Sequence, residues 1–456
     1  MAVEKSAPRL FGTNGVRGLV NTDAMDTQFA LRLGMAIGTL MKGTVMIGTD
    51  ARTSNEMIKS ACASGLMATG CNVLDCGIVP TPTLQYAVKT GRVQGGVVIT
   101  ASHNPPEFNG IKAIDADGTE MSREREEQIE RLYHEGKFAR ADWARVGRLT
   151  PHTTAIDRYI GGIISKVDVG AIRKANLRVA VDCSNGAGSL VTPKLLERLG
   201  VRYVTLNADL NGAFPGHNSE PTPENTKDLV KLVSSGGFDF GFVHDGDADR
   251  TIFVDDTGRY LYGDRSLAIV AHFVCLDKPG RLVVTTVGGS QCIEDAVKMA
   301  NGSVIYTKVG SPVVARVMMD TGGVFGGEEN GGLIFANFQY CRDGAMAVAK
   351  ILEIVAKHGK LSEINDRIPQ YCQCKKKTAC PEDKKQKVLS ELAKSSKGER
   401  IDTTDGLKIF FKDGWVLLRP SGTEQIFRIY SESKSEERSE QLADEFKKRV
   451  EKIVRG

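Results

Sequence analysis

DFGFVHDGDADR, residues 239–250, joins an apolar run, Phe240 to Val243, to a loop in which Asp245, Asp247 and Asp249 alternate. A short apolar run that ends in polar turn residues reads as a buried strand. The same grammar occurs twice more. GVVIT (96–100) runs into ASHNP (101–105), and GGVF (322–325) runs into GGEENGG (326–332). Around these runs, strand and helix patterns alternate. Phe29, Leu33, Ile37 and Leu40 recur at helical spacing behind a candidate cap at Asp26, followed by the strand patterns TVMIG (44–48) and NVLDCG (72–77). LRVAVDC (177–183), a helix ending near Gly200, VRYVTL (201–206) and a helix from Glu224 follow. Then come RLVVTTV (281–287), SVIYT (303–307), and helices around Ser290–Ala300 and Asp343–Lys357. Such alternation predicts an α/β fold, with parallel or mixed sheets covered by helices. In open sheets of this kind ligands collect at the strand-end loops. The tail differs: LKIFF (407–411), KDG and WVLLR (415–419) form a hairpin pattern with Asp413-Gly414 at its turn, followed by QIFRIYS and a charged helix. It predicts a smaller α+β domain. The run KKKTACPEDKKQK (375–387) before it reads as a solvated segment.

A chain of 456 residues exceeds one hydrophobic core and predicts three or four domains. Its 41% apolar and 25% charged residues are those of a globular protein. A net charge of +4 argues for neither nucleic acid nor a membrane surface. The first residues lack the apolar centre of a signal peptide and no run reaches spanning length, so the expectation is cytoplasmic. Ten cysteines in this length do not form a disulfide framework. Cys372, Cys374 and Cys380 lack the fourth ligand and the C-x-x-C pair that a zinc site wants.

The alternating aspartates of HDGDADR can converge on one side of an extended loop, and three hard anionic oxygens suit Mg²⁺. An EF-hand is excluded because Arg250 stands where that loop needs glycine. A haloacid-dehalogenase-like phosphatase would want Thr or Val in place of Asp249. RPSGTEQIFR (419–428) supplies the complement. Arg419 and Arg428 offer guanidinium forks, Ser421 and Thr423 hydroxyls, and Gly422 a backbone that turns N–H groups towards an anion. In GGEENGG, Glu328, Glu329 and Asn330 lie in a glycine-rich loop that can approach sugar hydroxyls. TASHNPPEFNGIK (100–112) places Ser102 at a strand end with His103 beside it and Lys112 ten residues on. A serine nucleophile, a metal, a phosphate clamp and a sugar loop are together what phosphoryl transfer on a sugar phosphate requires. Serine at its ordinary pKa is a weak nucleophile, so cations must screen the phosphoryl oxygens. His103 and Lys112 are candidates for moving a proton, with loop orientation the alternative for His103.

Those four motifs, in that order, resemble the phosphoserine, metal, sugar and phosphate loops of the α-D-phosphohexomutase superfamily. The resemblance implies four domains around a central cleft: 1–152, 153–254, 255–368 and 369–456. It implies that Ser102 is a phosphoserine whose phosphate oxygen joins Asp245, Asp247 and Asp249 around Mg²⁺. It also implies that Arg17, in LFGTNGVRG (10–18), and Lys112 lie near the reacting phosphate, and that Arg250 lies beside the metal. Lys308 and Gly310, in YTKVGS (306–311), match a loop that helps tell sugars apart. The implied reaction interconverts hexose 1-phosphate and 6-phosphate through a hexose 1,6-bisphosphate. The first loop resembles the phosphoglucosamine mutase form, with phosphomannomutase and phosphoglucomutase as alternatives. Ala248 stands where bacterial glucosamine enzymes carry glycine, and Asn330 and Gly332 where they carry Ser and His. A sugar phosphatase and a non-catalytic sugar-phosphate sensor are the remoter readings. The expected partner is a small-molecule sugar phosphate, and the sequence is silent on oligomeric state.

Overall fold

The computed structural model describes residues 9–12, 14–22, 24–421 and 424–456. Two compact units divide the chain. The first runs through Ser266 and takes in Asn330–Ile364; the second comprises Leu267–Glu329 and Asn365–Gly456.

The first unit opens with six strands: β1 (Val16–Leu19), β2 (Thr44–Thr49), β3 (Asn72–Ile78), β4 (Gly95–Ile99), β5 (Phe108–Asp115) and β6 (Leu149–Pro151). They form one mixed sheet in the order β1-β5-β4-β2-β3-β6. Strands β4, β2, β3 and β6 run parallel, while β5 lies antiparallel to both β4 and β1. Every residue of β4 is buried, which is why it reads as an unbroken apolar run and not as an alternating one. The helix Thr27–Met41 starts where the sequence predicts, with Asp26 Oδ1 accepting from the Phe29 amide at 2.6 Å. Its buried face holds Phe29, Leu33 and Ile37. It packs closely on the helix Asn55–Ala68 because glycines meet at the crossing. A Cβ on Gly34 would stand 2.3 Å from Cys62 O, and one on Gly65 2.2 Å from Leu31 O. These two helices cover one face of the sheet, and the helix Thr81–Gly91 the other.

Next come β7 (Arg178–Asp182), β8 (Arg202–Leu206), β9 (Phe240–His244), β10 (Thr251–Asp255) and β11 (Tyr260–Leu261), in the order β11-β10-β9-β7-β8. Parallel β8, β7 and β9 are extended by antiparallel β10 and β11. The rings of Phe240, Phe242 and Phe253 pack with centroids 6.1–6.2 Å apart. Gly200, at φ 75°, closes the helix Thr192–Leu199 where the sequence expects an end. The helix expected from Glu224 begins later, at Lys227. A single turn precedes it, in which the Thr222 carbonyl accepts from the Asn225 and Thr226 amides and from the Thr226 hydroxyl.

In the second unit β12 (Leu282–Thr286), β13 (Ser303–Thr307) and β14 (Phe325–Gly327) are parallel, ordered β13-β12-β14. The helix Gln291–Met299 is capped by Ser290. In the first unit, β15 (Leu333–Phe335) and β16 (Gln339–Arg342) pair antiparallel and lead into the helix Gly344–His358.

The C-terminal part of the second unit is an antiparallel sheet of β17 (Cys372–Ala379), β18 (Arg400–Asp402), β19 (Leu407–Phe411), β20 (Gly414–Pro420) and β21 (Ile426–Ser433). Its order is β17-β21-β20-β19-β18, and the helix Glu436–Arg455 packs against it. The basic run 375–387 therefore takes regular structure while staying mostly exposed, with only Cys380 and Lys385 buried in it. Its first half belongs to β17, in register with β21 over eight residues, and its end opens the helix Lys385–Ser395. Lys376 and Thr378 pair with Asp444 and Glu451 on the helix Glu436–Arg455 while Lys375 and Lys377 stay exposed, so the lysines guard a sheet edge. The hairpin turn also shifts by one residue, because Phe411 pairs with Gly414 and leaves Lys412-Asp413 at the turn. Gly414 belongs in the strand, where a Cβ would lie 2.2 Å from Glu432 O. Among the described residues no disulfide forms and all ten cysteines are free. No helix among them is long and apolar enough to cross a membrane.

One buried polar knot ties distant parts of the first unit. Tyr159 Oη donates to Asp343 Oδ1 at 2.5 Å, Gln339 Nε2 donates to Oδ2 at 2.6 Å, and the same carboxylate caps the helix Gly344–His358. Burial pushes the Asp343 carboxyl up to about 6 although all three donors favour its ionised form. Tyr159→Phe removes one donor to a buried carboxylate and should cost roughly 2 kcal/mol, read as a lower thermal midpoint; an unchanged midpoint would discount the knot.

Candidate functional site

The site in the first unit is built where β4 and β9 end. After the buried strand β4, Thr100 Oγ1 donates to Asp50 Oδ2 at 2.5 Å and accepts from the Ser102 amide at 2.8 Å. Ser102 takes φ 53°, a left-handed conformation that is strained for a residue with a Cβ. Its fully buried hydroxyl donates to Asp245 Oδ2 at 2.9 Å. The aspartate loop approaches this closely because of Gly246, where a Cβ would lie 2.7 Å from Ser102 O. Ala248, also left-handed at φ 53°, performs the turn between Asp247 and Asp249.

Asp245, Asp247 and Asp249 are buried, each offering one oxygen, and those oxygens all lie within 4.8 Å of one another. Lys112, on β5, places Nζ 2.9 Å from Asp247 Oδ2 and 3.7 Å from Asp249 Oδ2. Thr81, at the start of its helix, donates to Asp247 Oδ2 at 2.6 Å. Arg342, at the end of β16, reaches Asp249 Oδ2 at 2.6 Å. Arg250 Nε stands 3.8 Å from Asp245 Oδ2 and 3.7 Å from Asp249 Oδ1. Burial and the two neighbouring carboxylates raise the Asp245 carboxyl well above its usual range. Burial pushes Asp247 the same way, but Lys112 and Thr81 outweigh it and bring that carboxyl down. Two buried oxygens, Asp247 Oδ1 and Asp249 Oδ1, have no hydrogen-bond partner. Buried acceptors are ordinarily satisfied, and a small oxygen-seeking dication is the group whose chemistry fits this donor set.

Arg17 and His103 flank the serine. Arg17 sits on β1 opposite Gly110 and donates to Asn104 Oδ1 at 2.6 Å. Burial lowers its pKa, with Asp247 opposing that effect. His103 Nδ1 accepts from Arg250 Nη2 at 2.8 Å and lies 3.4 Å from Ser102 Oγ, while Nε2 lies 3.4 Å from Glu220 Oε2. Burial, then the charges of Arg250 and Arg17, hold its imidazole neutral. With Nδ1 already occupied, this arrangement suits orienting the loop better than accepting a proton. Glu220 also pairs with Arg250 at 3.1 Å.

The remaining candidates lie mostly in the second unit. Glu328 Oε1 accepts from the Gly310 amide at 2.9 Å. Asp405 Oδ2 accepts from the Val309 amide at 3.0 Å and from Arg419 Nε at 2.7 Å, tying the 308–310 loop to the arginine fork. Arg419 and Arg428 are directly opposite on β20 and β21. Lys385 Nζ donates to Ser421 O at 2.5 Å and to Glu424 O at 3.0 Å. Gly422 and Thr423 lie outside the described residues. Lys308 is exposed. Glu329 Oε2 is 3.5 Å from Thr286 Oγ1, and Asn330, the first residue back in the first unit, accepts from the Gly332 amide.

Asp50, Arg52, Thr81, Glu220, Arg342, Lys385 and Asp405 went unmarked in the sequence reading. Three carried a usable signal. GTDAR (48–52) is another strand-end loop, and β2 is the parallel neighbour of β4. Asp405-Gly406 precedes the hairpin strand whose partner carries Arg419.

Four family models match the chain in order. They are phosphoglucomutase/phosphomannomutase alpha/beta/alpha domains I (residues 8–140), II (157–258) and III (262–371), and the C-terminal domain (376–449). A phosphoglucomutase/phosphomannomutase of Thermococcus kodakarensis is 48% identical over 98% of this chain and 100% of its own length. A "probable phosphoglucosamine mutase" of Methanopyrus kandleri is 41% identical over 96% and 97%. The crystal structure of a phosphoglucomutase/phosphomannomutase family protein from Burkholderia thailandensis superposes with a TM-score of 0.88 at 26% identity, covering 98% of both chains. Matched from end to end by these models and relatives, the chain belongs to the α-D-phosphohexomutase superfamily and is an enzyme of the intramolecular phosphotransferase class.

Proposed function

We propose that this enzyme interconverts hexose 6-phosphate and hexose 1-phosphate through a phosphorylated Ser102. The observation that carries the reading is the 2.9 Å contact of Ser102 Oγ with Asp245, inside a buried set of three carboxylates and the cations that face them. A hydroxyl placed there, with cations facing it, can receive and return a strongly anionic group.

The steps balance as follows. The sugar O1 hydroxyl of a hexose 6-phosphate attacks phospho-Ser102. The new P–O1 bond forms as the P–Oγ bond breaks, the hydroxyl proton passes to a base, and Ser102 is left to regain a proton. The bound hexose 1,6-bisphosphate turns end for end. Ser102 Oγ then attacks the phosphorus at O6, the P–O6 bond breaks, and O6 takes up the proton, releasing hexose 1-phosphate. Lys112 and Arg17 face the transferring group. Lys112 exchanges the proton and Arg17 spreads the phosphoryl charge. His103 and Arg250 orient the serine loop. Asp245, Asp247 and Asp249, with the oxygen borne on Ser102, would hold Mg²⁺, which supplies charge neutralisation for carboxylates and phosphoryl oxygens alike. Arg419, Ser421, Gly422, Thr423 and Arg428 grip the phosphate that is not reacting. Lys308, Gly310, Glu328 and Asn330 contact the sugar. The division into domains at residues 152, 254 and 368 belongs to the same reading, as does a cytoplasmic setting with no nucleic-acid or membrane partner.

Glucosamine phosphate is the sugar favoured by the first loop, FGTNGVRG. Mannose and glucose phosphates are the second reading, favoured by the 48% identity to the Thermococcus kodakarensis relative.

Incubation with a hexose 1,6-bisphosphate should add one phosphate to the intact protein, mapping to Ser102. Ser102→Ala should lose both that adduct and all mutase turnover, and full turnover in the variant would sink the mechanism. Chelation should abolish activity and added Mg²⁺ restore it, while Asp247→Ala should lower kcat by about 10²-fold or more; wild-type rates in either case would displace the metal. Parallel assays on glucosamine, mannose and glucose 1-phosphates should give the highest kcat/KM for glucosamine 1-phosphate, and release of inorganic phosphate in place of an isomer would instead favour the phosphatase.

A further inference from the structure

We infer that Arg52, paired with Asp50, is a positioning residue that holds Ser102 in its reactive conformation. The inference rests on the proposed role of Ser102 as phosphoryl carrier.

Arg52 is not on the serine loop. It lies in the turn between β2 and the helix Asn55–Ala68, with its side chain fully buried. Its guanidinium nevertheless holds that loop by its main chain. Nη2 donates to Ser102 O at 2.9 Å and Asn104 O at 2.5 Å, and Nη1 to Pro105 O at 2.6 Å and Phe108 O at 2.8 Å. Nε donates to Asp50 Oδ2 at 3.1 Å. Arginine has five N–H donors in a rigid fork, and all five are used: four on carbonyls of residues 102–108 and one on Asp50.

Asp50 completes the clamp from the other side. Its Oδ2 accepts from Thr100 Oγ1, and that hydroxyl accepts the Ser102 amide. Its Oδ1 takes Asn55 Nδ2 at 2.7 Å and the Arg52 amide at 2.9 Å. The Ser102 residue is thus fixed at both its N–H and its C=O, which over-determines the left-handed φ that aims Oγ at Asp245. Phe214 lies over the guanidinium, 5.1 Å from its centre, and Gly212 comes so close that a Cβ would stand 2.2 Å from the Thr53 amide. The 207–220 loop therefore screens the clamp from water, where these hydrogen bonds are strongest.

Lysine at position 52 keeps the charge and its pairing with Asp50 but cannot span four carbonyls. Arg52→Lys should lower kcat by about 10²-fold, as expected for a reacting atom misplaced by around 1 Å, while KM stays near wild type. Loading of Ser102 from a hexose 1,6-bisphosphate should slow by the same factor. Amide hydrogen exchange over residues 100–110 should accelerate in the substrate-free protein, with β7 to β10 unaffected. Wild-type loading, a change in KM alone, or unchanged exchange would each overturn the clamp. If Arg52→Lys does not fold, Asp50→Asn carries the same expectations, and wild-type loading in that variant is equally fatal. Exchange needs neither substrate nor turnover, so it judges the clamp even where wild-type protein shows no mutase activity and the proposed function falls.

Discussion

The hydrogen bond from Ser102 Oγ to Asp245 Oδ2 joins the ends of two strands from separate sheets, β4 and β9. Neither loop could hold its shape alone. Three carboxylates converging in a buried space repel one another, and the loop that bears them stays closed because Lys112, Arg250 and Arg342 arrive from β5, from the loop itself and from β16. Removing one partner of a buried ion pair typically costs about 3–5 kcal/mol, because the other charge is left uncompensated. The geometry of this site is therefore inseparable from the packing of the first unit, whose sheets must be in place before the charges can balance.

That balance is held at some expense in the backbone. Ser102 and Ala248 both adopt φ 53°, and a left-handed residue bearing a Cβ costs roughly 1–2 kcal/mol. Ser102 is the more constrained, with Thr100 fixing its amide and Arg52 its carbonyl. Ala248 is held by the turn from its amide to the Asp245 carbonyl. Strain of this kind persists only where the surroundings over-determine it. Both positions border the trio, so the strained residues and the unsatisfied oxygens Asp247 Oδ1 and Asp249 Oδ1 mark the same place.

Strand-end loops were legible in the sequence because buried strands announce themselves as apolar runs and ligand loops as what interrupts them. That reasoning marked Ser102, Lys112 and the aspartates, which the structure brings together, and helical spacing marked the cap at Asp26. It failed where meaning depends on a partner distant in sequence. The lysines of 375–377 show no strand pattern until β21 lies beside them, and the carbonyls that Arg52 binds lie on a loop fifty residues on. Arg342 and Glu220 belong to the same class. Their side chains are ordinary in local context, and only tertiary contact gives them a task. His103 illustrates the converse. Its place beside the serine invites a proton-transfer role, yet Arg250 occupies Nδ1, and that hydrogen bond is invisible in a linear reading.

The charges also bear on the proposed use of a serine as the phosphoryl carrier. Neutral His103 adds nothing to the positive side, so the reacting region is set by the three carboxylates against Lys112, Arg17, Arg250 and Arg342. A divalent cation would tip that near-even balance towards positive, and a phosphoryl group on Ser102 would tip it back. On the proposed reaction, each transfer moves that dianionic group a short distance between two oxygens without changing the total charge enclosed. The environment therefore needs little rearrangement between the two half-reactions, and low reorganisation is the condition under which fixed charges stabilise a transition state most effectively. A hydroxyl suits this better than a carboxylate nucleophile would, since a fourth buried acid beside Asp245 would have to be neutralised whenever the phosphoryl group departed.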